Sequence, residues 1–255
     1  MKWAGIGLAV VAASMAQAAA ATIIDSDDML NALPVGGAST LTIGEVTVTG
    51  FDNFGLPSQT ETNFSINSEG AGFTGSVTGQ IGVLAGPANG VDPAEVQAML
   101  FEFAKPQDLG TLSINRLFDG TNSSDNFQEV ARIELKRDGL PTTVVELTSQ
   151  SDTQAEVKVN GVVQPAGGNP PLAMAADVPT DSFGWLLTFG LSPLFDGITE
   201  MVLLPGNTSG RASNGSDYKF VSLTGQPTPD PIPVPGAALI FAGGFAVVRF
   251  CSRVR

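Results

Sequence analysis

Hydrophobic and polar residues alternate along most of the chain, and that period of two predicts strands rather than helices. Residues 41–50 (LTIGEVTVTG) carry β-branched side chains in this rhythm and read as the first strand. Residues 63–85 continue it through Phe64, Ile66, Phe73, Val77, Ile81 and Val83. Glycines at 70, 72, 75, 79 and 82 divide that stretch into two or three short strands. Asp92 and Pro93 have the N-cap and first-turn character of a helix start over 91–95. Residues 98–104 (AMLFEFA) then read as a strand stopped by Pro106, with further strands at 109–118, 129–137, 142–148 and 155–160.

Within 129–137, Val130, Arg132, Glu134 and Lys136 oppose Ala131, Ile133, Leu135 and Arg137, so one face is wet and the other buried. Asp138-Gly139 and Asn160-Gly161 are hairpin dipeptides between extended segments, and they predict an antiparallel meander over 129–163. Four prolines and two glycines in residues 164–179 predict a long loop. Strands resume at 182–189, 197–204 and 217–223. About ten strands are enough for two packed sheets. The fold class expected is all-β: a single antiparallel β-sandwich, jelly-roll or lectin-like, over residues 21–224.

Both ends depart from this rhythm. Residues 1–20 combine Lys2, an apolar run and small residues at Ala16-Gln17-Ala18 and Ala18-Ala19-Ala20, the pattern of a cleaved secretory signal peptide. The acidic segment that follows, with Asp25, Asp27 and Asp28, reads as a solvated end. At the other end, residues 225–235 are a proline-rich linker of extended geometry. Residues 236–248 carry no charge, and Arg249, Arg253 and Arg255 close the chain. As a helix those uncharged residues span only about 20 Å, so a single transmembrane helix needs residues from 232 onward and a snorkelling Arg249. The basic end sets the tail inside and the body outside.

Composition sharpens the picture in two ways. Lys2 and the three terminal arginines lie outside the body. Removing those four from 12 basic residues leaves 8 against 25 acids, a formal −17 for the middle of the chain. Such a surface repels phosphate backbones, so nucleic acid is not an expected partner. The chain has no histidine and one cysteine, Cys251, beyond the apolar run. An internal disulfide, a His/Cys metal site and the usual Ser-His-Asp or Cys-His catalysis are therefore excluded.

Pro233-Val234-Pro235-Gly236-Ala237, a short apolar run containing Ala242-Gly243-Gly244 and a basic terminus together resemble the PEP-CTERM class of bacterial sorting signals, closest to its VPLPA-type variant. Val234-Pro235-Gly236 stands where that variant has Val-Pro-Leu-Pro, and Cys251 interrupts the basic run. The resemblance implies a Gram-negative exported protein, held in the inner membrane and recognised there by an exosortase-type sorting enzyme that cuts near the proline motif. It also implies association with extracellular polysaccharide and matrix. Residues 100–106 with Leu109-Gly110, and Phe195-Asp196-Gly197-Ile198-Thr199, are similar to strand motifs of the same class and carry no catalytic residue.

One loop offers metal chemistry. Asp119, Asn122 and Asp125 place oxygen ligands in a glycine-containing turn that suits a calcium ion, without the closing glutamate of an EF-hand; a solvated turn is the other reading. Trp185 and Phe189 alternate in a strand and read as core rather than as a platform for sugars. The function expected is a non-enzymatic, surface- or matrix-targeted protein with no required cofactor. The alternatives are a calcium-dependent carbohydrate-binding module and, behind it, a secreted polysaccharide hydrolase using paired carboxylates.

Overall fold

The computed structural model describes residues 21–74, 80–81, 96–117, 128–151, 154–165, 172–176, 184–190, 192–206 and 218–229. The helix start expected at 91–95 lies outside them. The first third of the chain forms β1 (Ala21–Asp25), α1 (Ser26–Ala32), β2 (Thr40–Ile43), β3 (Val46–Asp52), β4 (Thr60–Glu61), β5 (Phe64–Asn67) and β6 (Gly70–Phe73). The long β7 (Ala98–Asn115) leads to β8 (Val130–Lys136), β9 (Thr143–Ser151), β10 (Gln154–Val159) and β11 (Val162–Val163). After these come β12 (Leu172–Ala176), β13 (Gly184–Thr188), β14 (Ile198–Pro205) and β15 (Lys219–Pro227). The strands join antiparallel into one hydrogen-bonded network whose main path is β11-β10-β9-β8-β14-β7-β15-β6-β5. The fold is all-β, and no helix among the described residues is long and apolar enough to cross a membrane.

The expected meander is present over β8 to β11, with both glycine turns where the dipeptides place them. Asn160 (φ 49°) and Gly161 (φ 79°) both have positive φ, as a type I′ turn requires. On β8, Ala131, Ile133 and Leu135 are fully buried. Arg132 and Lys136 on the opposite face reach Glu146 and Glu200 across neighbouring strands.

Five segments differ from their sequence expectation. The strand expected at 41–50 is a hairpin: Gly44 (φ 59°) turns the chain and pairs Ile43 with Val46. Alternation continues across a two-residue turn, so the pattern alone shows one strand. The acidic segment after residue 20 keeps Asp27 and Asp28 exposed, as expected, but it is folded into a strand and a helix rather than a loose end. β1 pairs with β15, and Asp25 caps α1 by accepting from the Asp28 N–H while Asp28 returns the bond to the Asp25 N–H. That capping box holds a helix of only seven residues, and its Met29 is fully buried. The loop expected at 164–179 contains β12, paired with β13 over five residues. The linker expected from residue 225 begins later, because β15 stays in the sheet to Pro227.

The largest difference is at β7, where the strands expected at 98–104 and 109–118 are one. Between the Glu102↔Glu200 and Gln107↔Ile198 pairs, β7 advances five residues while β14 advances two. Pro106 sits in that bulge, where the ladder asks no N–H of it. Before the bulge β7 lies between β3 and β14; after it, between β15 and β13. One strand thus belongs to two arms of the network, with a corner at Lys105-Pro106.

Apolar residues from both arms merge in one core. Phe101 of the first arm meets Phe220 of the second at 5.0 Å between ring centroids. Trp185 and Phe189 are core residues, as their alternation predicts. The polar ends of buried aromatics are satisfied: the Trp185 indole donates to the Leu117 carbonyl, and the Tyr218 hydroxyl to the Leu204 carbonyl at 2.9 Å.

Candidate functional site

The corner of β7 gathers the polar chemistry nearest the tail. One oxygen of Asp108, Oδ1, accepts the Gly197 N–H at 3.0 Å and the Thr228 hydroxyl at 2.6 Å. The Thr228 N–H also donates to the Pro106 carbonyl at 2.8 Å, so the last turns of the sheet are clipped to β7 twice. Gly197 (φ 70°) takes a left-handed conformation that presents its N–H to Asp108. The Leu109 N–H bonds the Phe195 carbonyl, and Phe189 packs on Phe195 at 5.2 Å. The segments 109–110 and 195–199, noticed separately in the sequence, therefore meet here.

Asp196 stands beside Asp108 and Arg137. Partial burial pushes its carboxyl above the ordinary value of 3.8, the Asp108 charge adds to this, and Arg137 opposes it. Arg137 itself donates to the Pro193 carbonyl at 2.6 Å. With Asp108 Oδ1 already shared by two donors, the geometry suits holding the chain more than passing protons. Asp108→Ala is expected to cost about 1–3 kcal/mol by stranding two donors. It should also speed amide exchange at Gly197 and Thr228, whereas Asp108→Asn, which keeps the acceptor, restores most of both. Urea unfolding and hydrogen exchange check this.

A second constellation lies at the far end of the second arm. Lys219 is 1% exposed, and its Nζ donates to Glu69 Oε2 at 2.7 Å and Asn67 Oδ1 at 3.1 Å. Arg116 bonds the other Glu69 oxygen, and Asn115 donates to the Glu69 carbonyl. The hydrogen bond from Lys219, joined by that from Arg116, outweighs burial and holds the Glu69 carboxyl below its ordinary 4.5. The β5–β6 hairpin delivers Glu69 here because Gly70 (φ 134°) lets it press on β15: a Cβ at Gly70 would stand 2.4 Å from the Phe220 carbonyl oxygen. Partners so distant in the sequence left no local pattern by which to find this cluster.

Pro233, Val234, Pro235, Gly236, Ala237, Arg249, Arg253 and Arg255 lie outside the described residues, as do Asp119, Asn122 and Asp125. Among the described residues no group of three or more His, Cys, Asp or Glu side chains is placed to hold a metal ion. Asp108 was legible only as the polar residue before Leu109-Gly110; its role needs Gly197 and Thr228 beside it.

Comparison with protein-family models, curated proteins and solved structures found no match.

Proposed function

We propose that this chain is an exported, non-enzymatic protein whose β-sandwich body is carried to the cell surface or the extracellular matrix by two removable end segments. The first is the signal peptide of residues 1–20. The second is the sorting signal of residues 236–255, read in the inner membrane by an exosortase-type enzyme. The adjacency of the body's two ends carries this reading. Ala21, next to the expected signal cleavage, pairs with Gly225, three residues before the Thr228 clip. The first and last described strands of the body thus end side by side, an arrangement that suits delivery to one membrane. The sandwich is supported by the two arms sharing one core through Phe101 and Phe220.

Charge fits delivery into an extracellular matrix without an anionic partner of its own. Each described lysine and arginine is engaged by a carboxylate or a backbone carbonyl. The surplus acids therefore set the sign of the surface, and contact with acidic polysaccharide would need bridging cations. Fractionation of cells producing the full chain tests the proposal: the protein is expected in membranes and in the medium. Full-length protein soluble in the cytoplasm would overturn it.

A further inference from the structure

The registers place several loop tips on one rim with the tail exit. β7 arrives at the rim opposite the start of β3 (Val46↔Phe103), and β14 departs from it opposite Gln107. β8 ends and β9 begins there (Leu135↔Thr143), and β10 ends there before its turn into β11 (Val159↔Val145). The turns at 44–45, 138–140 and 160–161, together with residues 192–197, therefore share the rim with Pro106 and Thr228.

This rim is where the exposed apolar side chains collect. Six large hydrophobic residues stand exposed among the described residues, and four of them are Leu140 (54%), Val162 (65%), Val163 (50%) and Leu194 (38%). Arg137, whose carbonyl accepts the Leu140 N–H, donates to the carbonyl of Pro193, the residue before Leu194. Scattered exposed apolar residues need no explanation; four on the one rim from which an apolar tail departs do.

The covalent tether limits what can face this rim. From Thr228 to Gly236, the first residue past the three alternating prolines, eight residue steps reach at most about 29 Å. That is shorter than the ~40 Å width of a body of this size. We propose that the rim rests on the bilayer surface in the tethered precursor, with Leu140, Val162, Val163 and Leu194 dipping into the interface. The inference rests on the tail being a membrane anchor. Lys105 is paired with Glu45, and Arg137 is bonded to the Pro193 carbonyl beside Asp196 and Asp138, so the rim has no surplus positive charge for anionic headgroups and the contact is apolar and depends on the tether. Once the tail is cut, four partly exposed side chains are too little to retain the body, and it leaves the membrane.

The test uses the full chain carrying C251S, reconstituted into vesicles of phosphatidylethanolamine and phosphatidylglycerol containing a shallow spin-labelled lipid. A fluorophore is attached at L140C, L194C or, on the distant β5–β6 turn, S68C. Quenching is expected to be at least about twofold stronger at the two rim positions than at position 68, and to survive replacement of phosphatidylglycerol by phosphatidylcholine. Equal, weak quenching at all three positions in a chain that floats with the vesicles overturns the rim contact and leaves the anchor intact. A chain that does not float overturns the anchor, and the rim contact with it. Cross-linking of rim cysteines between chains would assign the rim to a second copy instead, and would also overturn the proposal.

Discussion

Glu69→Ala is expected to destabilise the body by about 3–5 kcal/mol, because it strands an ammonium that cannot reach water. Lys219 is 1% exposed and would keep Asn67 as its partner among the described residues, while Arg116 would lose its bond to Glu69. Loss on this scale is a large share of the about 5–15 kcal/mol that holds a domain together. The double variant Glu69→Gln/Lys219→Met removes both charges and is expected to recover most of the loss, since a buried pair is worth far less than the cost of breaking it. The pH dependence has a definite sign. The folded-state value of Glu69 is depressed, so its contribution is complete above its ordinary 4.5 and is lost as pH falls through the depressed value. Urea unfolding from neutral to acid pH should show wild type losing stability over that window and Glu69→Ala losing less.

Removing β15 is expected to abolish cooperative folding of the whole body. β15 supplies the partner of β1, of β6 and of the second half of β7. It also buries Phe220 and Leu223 completely. Truncating those two side chains alone would cost about 3–5 and 2–5 kcal/mol, which together approach the whole stability of a domain. A chain lacking residues 219–227 should show no sigmoidal urea transition and should lose the near-ultraviolet signal of Trp185. A sharp transition in that chain would mean the first arm folds alone. Because β1 waits for β15, the N-terminal strand cannot dock until the last strand is available.

How much of this was legible in the sequence depended on how local the cause was. Alternation and glycine dipeptides are local, and they placed β8 to β11 with their turns. They failed where a turn preserved the alternation, as at Gly44, and where a proline found a bulge that needs no donor, as at Pro106. The strand and helix at Ala21–Ala32 were hidden because their acids looked solvated, although Asp25 and Asp28 are spent on capping each other. Both polar constellations are wholly non-local. Asp108 needs Thr228, and Glu69 needs Lys219; no spacing rule connects residues brought together only by a sheet. On the proposed reading the end segments, in contrast, are recognised by their sequence alone, so their pattern is visible without a fold.

The most direct measurement is the intact mass of the protein isolated separately from membranes and from the medium. The membrane form should have lost residues 1–18 or 1–20 and kept its arginine end. The released form should end between the Thr228 clip and Ala237, within or beside the proline motif. A released form that still carries Arg255, or a membrane form that still begins at Met1, would contradict delivery by two removable ends.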